Sequence, residues 1–162
     1  MSDFVVSALK YRPKKFSDVV GQEAVTKTLE NAIATNKIPK AMIFCGPRGV
    51  GKTTCARIFA NEINKHQNND LAFNIFELDA ASNNSVSDIR NLIEQVRIPP
   101  QTGKFKVFII DEVHMLSQTA FNAFLKTLEE PPKHAVFILA TTEKEKIIPT
   151  ILSRCQIFDF KR

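Results

Sequence analysis

Eight residues constrain this chain more than any others: Gly46-Pro47-Arg48-Gly49-Val50-Gly51-Lys52-Thr53. They fit G-x-x-x-x-G-K-[ST], the phosphate-binding loop of nucleoside triphosphatases. Such a loop needs one local setting, a buried strand before it and a helix after it whose N-terminus faces the phosphates. The flanks supply both. Ala41-Met42-Ile43-Phe44-Cys45 is a short apolar run of the buried-strand kind, and Cys55, Ile58, Phe59 and Ile63 fall on one helix face. Within the loop, glycines let the backbone wrap closely and turn N–H groups toward phosphate oxygens. Lys52 brings positive charge to the β- and γ-phosphates, and the Thr53 hydroxyl suits Mg²⁺. Pro47, Arg48 and Val50 complete the loop, and Thr54 follows it inside the helix.

Strand-like and helix-like stretches alternate along the rest of the chain. Further strand candidates fall at Phe73–Leu78, Val107–Ile110, Ala135–Ala140 and Gln156–Phe160. A helix is expected from about Gln22, with Val25, Leu29 and Ile33 as its apolar stripe and Asn36 to Pro39 as its end. Ser85 is placed to cap a helix carrying Val86, Ile89, Ile93 and Val96, with Asp88 approximating a capping box and Pro99-Pro100 closing the segment. Ser117 is placed to cap another, in which Phe121, Phe124, Leu125 and Leu128 share a face until Pro131-Pro132 stops it. Residues 9–16 read as irregular because Pro13 breaks helix pairing. Residues 64–70 read as a polar loop. This alternation argues for an α/β fold, a five-stranded parallel sheet flanked by helices. Ligands of such folds bind beyond the carboxyl ends of the strands, where the motifs of this chain lie.

Length and composition exclude several classes. A chain of 162 residues suits one domain with a sizeable core, and 44% hydrophobic with 24% charged residues is ordinary for a globular protein. No apolar run approaches a membrane span. The N-terminus, Met1-Ser2-Asp3-Phe4, lacks the basic and apolar regions of a secretory signal, so a cytoplasmic location without a membrane partner is expected. Cys45, Cys55 and Cys155 show no metal-ligand spacing, and an odd count without a signal suggests reduced thiols. Cys45 and Cys55 are expected to pack as small hydrophobes. The net charge of +5, with basic groups at Lys10/Arg12/Lys14/Lys15 and Lys104/Lys106, suits either a polyanion partner or a solvated surface.

A second constellation supports the loop. The third strand candidate ends in Asp111-Glu112, and an apolar strand delivering two acids at its carboxyl end is the Walker B arrangement. Asp111 is expected to hold Mg²⁺, usually through water, and Glu112 to orient and polarise the attacking water. Successive side chains of a strand point in different directions, so adjacent acids can divide these roles. The fourth strand candidate ends in Thr141-Thr142, where a hydroxyl can reach a γ-phosphate or simply cap the strand. For Arg154, within Ser153-Arg154-Cys155, residue chemistry leaves two readings open. It is either a finger set against another subunit's γ-phosphate or half of a surface salt bridge.

Seven segments together carry a family resemblance. They are Tyr11-Arg12-Pro13 with Phe16-Ser17-Asp18-Val19-Val20-Gly21-Gln22; the loop at 46–53; Leu78-Asp79-Ala80-Ala81-Ser82; Asp111-Glu112-Val113-His114-Met115-Leu116; Phe124-Leu125-Lys126-Thr127-Leu128-Glu129-Glu130-Pro131-Pro132; Ala140-Thr141-Thr142; and Ser153-Arg154-Cys155. In this order the chain resembles the ATPase core of the bacterial clamp-loader family, the gamma/tau subunits of DNA polymerase III, which are P-loop NTPases of AAA+ type. The resemblance implies that Tyr11, Arg12, Val19 and Gly21 lie around the adenine. It implies that Lys52 and Thr53 bind phosphates and Mg²⁺, and that Asp111 and Glu112 form the Walker B pair. Thr142 would be the sensor 1 residue, and Arg154 an arginine finger acting in trans on a neighbour's ATP.

Two departures from the family pattern qualify this. Many members carry a four-cysteine zinc module before the second strand, where this chain has the cysteine-free stretch near 64–70, so no zinc is expected. The helical lid and collar that follow in the family are not in these 162 residues, so residues 1–162 are expected to be the AAA+ nucleotide-binding core alone, monomeric in isolation. The resemblance implies an ATP-hydrolysing motor subunit that loads the sliding clamp onto primer-template DNA, as part of a holoenzyme classed with DNA-directed DNA polymerase. A nucleotide-gated interaction module without its own hydrolysis is the alternative for the isolated chain. Archaeal and eukaryotic clamp-loader small subunits share the loop, the acidic pair and Ser-Arg-Cys, but residues 124–132 favour the bacterial form. A small GTPase is disfavoured because no N-K-x-D segment is present.

Overall fold

The computed structural model describes residues 15–64, 74–83, 85–101 and 104–162. The expected irregular stretch around Pro13, with Tyr11 and Arg12, lies outside the described residues, as does most of the polar segment after Asn64. The elements run α1 (Glu23–Ala34), β1 (Ala41–Cys45), α2 (Lys52–Ile63), β2 (Ile75–Asp79), α3 (Val86–Arg97), β3 (Lys106–Asp111), α4 (Gln118–Glu129), β4 (Ala135–Thr141), a short α5 (Pro149–Leu152) and β5 (Gln156–Asp159). All five strands are parallel, in the order β2-β3-β4-β1-β5. The expected α/β architecture is therefore observed. The chain leaves β1 for the far edge and steps back through β3 and β4, so β1 ends inside the sheet where strand order reverses. A crevice opens at such a point.

Burial explains why the inner strands read as unbroken apolar runs rather than as alternating ones. Every residue of β1 and of β4 is buried. Ile43, Phe108, Ile110, Phe137 and Leu139 face α3 and α4, while Met42, Phe44, Val107, Ile109, Val136 and Ile138 face α1 and α2. On the first face Phe76, Phe108 and Phe137 stack in sequence across three strands, with centroids 5.2 and 5.6 Å apart, and Phe124 of α4 meets Phe137 edge-on. The expected caps are present. Ser85 and Asp88 form a reciprocal capping box at α3, and Ser117 accepts from the Ala120 N–H at α4.

Three expectations need correction. The second strand begins at Ile75 and ends on Asp79, because its pairing register with β3 sets Asp79 beside Asp111. Asn64 is not part of a surface loop. It is fully buried at the end of α2, where its amide donates to the Phe105 carbonyl and accepts from the Lys104 and Phe105 N–H groups. Lys106, counted above in a basic group, is 4% exposed. Its ammonium donates to the Gln95 and Ile98 carbonyls at the end of α3 and lies 5.0 Å from the Phe76 ring centroid. There it meets the negative end of the helix dipole.

Candidate functional site

The residues between β1 and α2 are fixed by contacts on both sides. The Gly46 N–H donates to the Thr141 carbonyl of β4, and the Phe160 N–H, just past β5, donates to the Cys45 carbonyl. A Cβ on Gly46 would stand 2.7 Å from the Phe160 carbonyl oxygen, so only glycine fits. Gly51 turns with φ +97° into the first residue of α2, Lys52. The loop thus lies over the N-terminus of α2, where free N–H groups and the helix dipole favour an anion.

Lys52, Thr53, Thr54, Asp111, Glu112 and Thr142 line one cleft of about 380 Å³, with Arg48, Gly49, Gly51 and Arg57. A second hollow of about 470 Å³ shares Arg48, Gly49, Gly51 and Thr54 with it and is walled by Val19, Gly21, Gln22, Val50, Lys161 and Arg162. The two form a continuous groove from a mixed apolar end to a charged end. Val19 and Gly21, expected near the adenine, stand at the first end, and the Walker B acids stand at the other. Gln22 ties the groove together, since its amide donates to the Lys161 carbonyl at 2.5 Å and accepts the Lys161 N–H at 3.0 Å.

The lysine is buried and turned onto its own loop. Lys52 Nζ donates to the Gly46 and Pro47 carbonyls, both at 2.6 Å. Burial pushes its ammonium below the usual lysine range, while Asp111 and Glu112 pull it back up. The same burial moves Asp111 the other way, above the usual carboxylate range. Burial and the nearby Glu112 and Asp79 charges disfavour its ionised form, more than the Glu112 N–H, which bonds it at 2.9 Å, and Lys52 favour it. A half-buried carboxylate crowded by like charge, in a cleft that Thr53 also lines, is a donor set suited to a hard divalent cation. Thr53 and Asp111 therefore fit Mg²⁺.

Glu112 has a backbone to match its position. It adopts φ 52°, ψ 48°, the left-handed region that a non-glycine residue rarely enters, and so turns β3 into a short 3₁₀ turn, Val113–Met115. Its carboxylate meets Arg48 at 3.2 Å and accepts from the Thr142 hydroxyl at 3.3 Å. Thr142, expected at a γ-phosphate, is thus found in the same cleft and bonded to Glu112. Arg154 is not brought to this groove. It follows α5 and pairs with Glu129 of α4 at 3.3 Å, with 42% of its side chain exposed.

Several side-chain contacts at the site were not readable from the sequence, although Arg48, His114 and Thr141 lie in the motif segments named above. Arg48 occupies a variable position of the loop motif, yet its guanidinium holds Glu112. His114 and Thr141 pair at 2.7 Å behind Glu112. Arg57 grips Glu77 of β2 through two bonds of 2.6 and 2.7 Å at the wall of the cleft. Each pairs residues distant in sequence or buried in a turn, where neither motif nor periodicity points. Among the described residues, no helix is long and apolar enough to cross a membrane.

Comparison with known proteins bears on the same groove. A family model described as "DNA polymerase III, delta subunit" matches residues 21–162. The tau subunit of DNA polymerase III from Bacillus subtilis is 52% identical over 94% of this chain, and that from Escherichia coli is 45% identical over 98%. The chain spans 30% and 27% of the lengths of these two relatives. Among solved structures, a DNA polymerase III gamma subunit-related protein from Thermotoga maritima superimposes with a TM-score of 0.69 at 26% identity, covering 81% of this chain and 45% of its own. The family model carries the delta name. The whole-chain matches carry tau and gamma names, and at these identities they discriminate between related subunits better than a broad family description does.

Proposed function

This chain belongs to the DNA polymerase III gamma/tau family, and we propose that residues 1–162 are the AAA+ nucleotide-binding core that binds and hydrolyses ATP within a clamp-loader subunit. The observation that carries this reading is the convergence of Lys52, Thr53, Asp111, Glu112 and Thr142 on one cleft. Val19 and Gly21 receive the base, with Tyr11 and Arg12 assigned to the same end. The loop from Gly46 to Thr53 wraps the phosphates, with Thr54 behind it. Lys52 exchanges the Gly46 and Pro47 carbonyls for phosphate oxygens, which is favourable because its buried ammonium then meets full negative charge. Thr53 and Asp111 would hold Mg²⁺, which would supply positive charge to phosphate oxygens. Glu112 orients the attacking water and draws its proton, and Thr142 sets the angle of that carboxylate.

Catalysis of this kind is positioning and electrostatics, and a further cationic group set against the γ-phosphate would strengthen it. We assign that group to Arg154 of a neighbouring subunit. The exposed position of Arg154, away from its own groove, supports action in trans. On this reading the partners are other clamp-loader subunits, a sliding clamp and primer-template DNA, in the cytoplasm. The chain alone is a nucleotide binder with little turnover.

Titration calorimetry and turnover assays on the Lys52→Ala and Glu112→Gln proteins test the assignment. Lys52→Ala is expected to lose ATP binding. Glu112→Gln is expected to bind as the parent does and to turn over at least about a hundredfold more slowly in the assembled protein. Unchanged ATP affinity in Lys52→Ala would overturn the site.

A further inference from the structure

Behind Glu112 lies a polar group that the reading above does not use. The His114 side chain is 4% exposed, inside the turn that follows Glu112. Its Nδ1 stands 2.7 Å from the Thr141 hydroxyl oxygen and 3.8 Å from Glu112 Oε1, and its Nε2 stands 3.3 Å from Glu143 Oε2. Thr141 is fully buried, and its oxygen accepts the Glu143 N–H at 2.9 Å.

Hydrogen-bond accounting fixes the roles. Since the Thr141 oxygen already accepts from Glu143, its hydroxyl proton is the group still seeking a partner, and His114 Nδ1 is the acceptor in reach. An imidazole that accepts at Nδ1 carries its proton on Nε2, which faces the Glu143 carboxylate. The opposite tautomer would leave a buried hydroxyl proton unpaired and set a bare ring nitrogen against a carboxylate. The adjacent threonines therefore divide their work by strand alternation. Thr142 turns to Glu112 on the cleft side, and Thr141 turns inward to His114.

We propose that His114 is a positioning residue for ATP hydrolysis, a buried strut that locks the turn carrying Glu112 to the end of β4 carrying Thr142. The proposal rests on the hydrolysis reading above. A left-handed non-glycine residue persists only where its surroundings hold it there. At Glu112 the holding contacts are the Met115 N–H to the Glu112 carbonyl at 2.9 Å, the fully buried Val113 and the His114–Thr141 bond. Of these, the last alone ties the turn to Thr141, the final residue of β4 and the neighbour of Thr142, by a polar link. Without it the Glu112 carboxylate and the Thr142 hydroxyl keep only their own long 3.3 Å bond to hold their alignment, although the loop that binds the phosphates is untouched.

The assembled protein carrying His114→Phe, Thr141→Val, both, or His114→Asn tests this, with Glu112→Gln as reference. His114→Phe is expected to lower kcat by about a hundredfold while ATP affinity stays within about twofold, since the loss is of alignment and not of binding. Thr141→Val should match it, the double variant should be no worse than either single one, and His114→Asn, whose Oδ1 can accept from Thr141, should recover most of the rate. In ¹⁵N spectra of the 162-residue chain, His114 should carry its proton on Nε2, with an Nδ1 shift that changes in Thr141→Val. An undiminished kcat in His114→Phe beside an inactive Glu112→Gln overturns the proposal alone, as do losses that multiply in the double variant, a parallel loss of affinity, or a proton on Nδ1. A Glu112→Gln protein that turns over at the parental rate overturns the hydrolysis reading, and the strut with it.

Discussion

Asp111 shows how a single residue can serve function against stability. Its carboxyl is held above the usual range by burial and by the Glu112 and Asp79 charges. A carboxyl raised in the folded state favours that state while protonated and loses this advantage as pH climbs from its unfolded value through its folded one. At neutral pH the ionised group is therefore a net cost to the nucleotide-free fold. Asp111→Asn is expected to raise Tm by about 3 °C at pH 7 in calorimetry, to flatten the decline of Tm between acidic and neutral pH, and to abolish Mg²⁺-dependent turnover. An Asn variant that melts below the parent would contradict this account of the shift. The convergence of Asp111, Glu112 and Lys52 on one cleft was legible because their motifs specify side chain and spacing together. The Arg48 contact to Glu112 was not, because its position in the motif admits any residue and the pair is made only when the loop folds beside β3.

Elements are joined here by side-chain amides that imitate backbone. Asn64 closes α2 onto the residues before β3, and Gln22 closes the start of α1 onto Lys161 beyond β5. Each supplies a donor and an acceptor where a strand neighbour would otherwise stand. Removing Asn64 strands the Phe105 N–H and carbonyl in the interior, which costs about 1–3 kcal/mol for each buried group left unpaired. Asn64→Ala is therefore expected to lower the denaturation midpoint without altering ATP affinity, whereas Gln22→Ala weakens nucleotide binding as well, because Gln22 and Lys161 wall the groove. Chemical denaturation and calorimetric titration of the two variants separate these effects. Helices and strands were readable from apolar spacing and caps, down to the Ser85–Asp88 box. The clasp at Asn64 was not, since its partners lie 40 and 41 residues away and a polar residue beside a polar run has no periodicity to betray burial. Lys106 misled for the same reason, as a charge is read as exposed until the carbonyls that neutralise it are known.

The whole molecule separates the two halves of its proposed chemistry. Sheet order places the loop, the acids and Thr142 at neighbouring strand ends, while the chain carries Arg154 to a different surface beside α4. Strand count and parallel pairing followed from the alternation of patterns, but the order β2-β3-β4-β1-β5 did not, because it depends on packing between segments that have no local mark of their neighbours. Trans action is checked by mixing full-length Arg154→Ala and Glu112→Gln proteins, each expected to be nearly inactive alone. Mixed assemblies pair an intact cleft with an intact arginine and should regain part of the DNA-stimulated turnover. No recovery at any ratio would count against the assignment of Arg154.

The Phe160 carbonyl resting on Gly46 has a mechanical consequence. The Phe160 N–H is bonded to the carbonyl of Cys45, the residue just before the loop, so backbone groups on both sides of one residue abut the root of the phosphate loop. No side chain or hinge lies between them to absorb strain. A displacement of the end of β5 is therefore carried to the root of the loop through backbone alone.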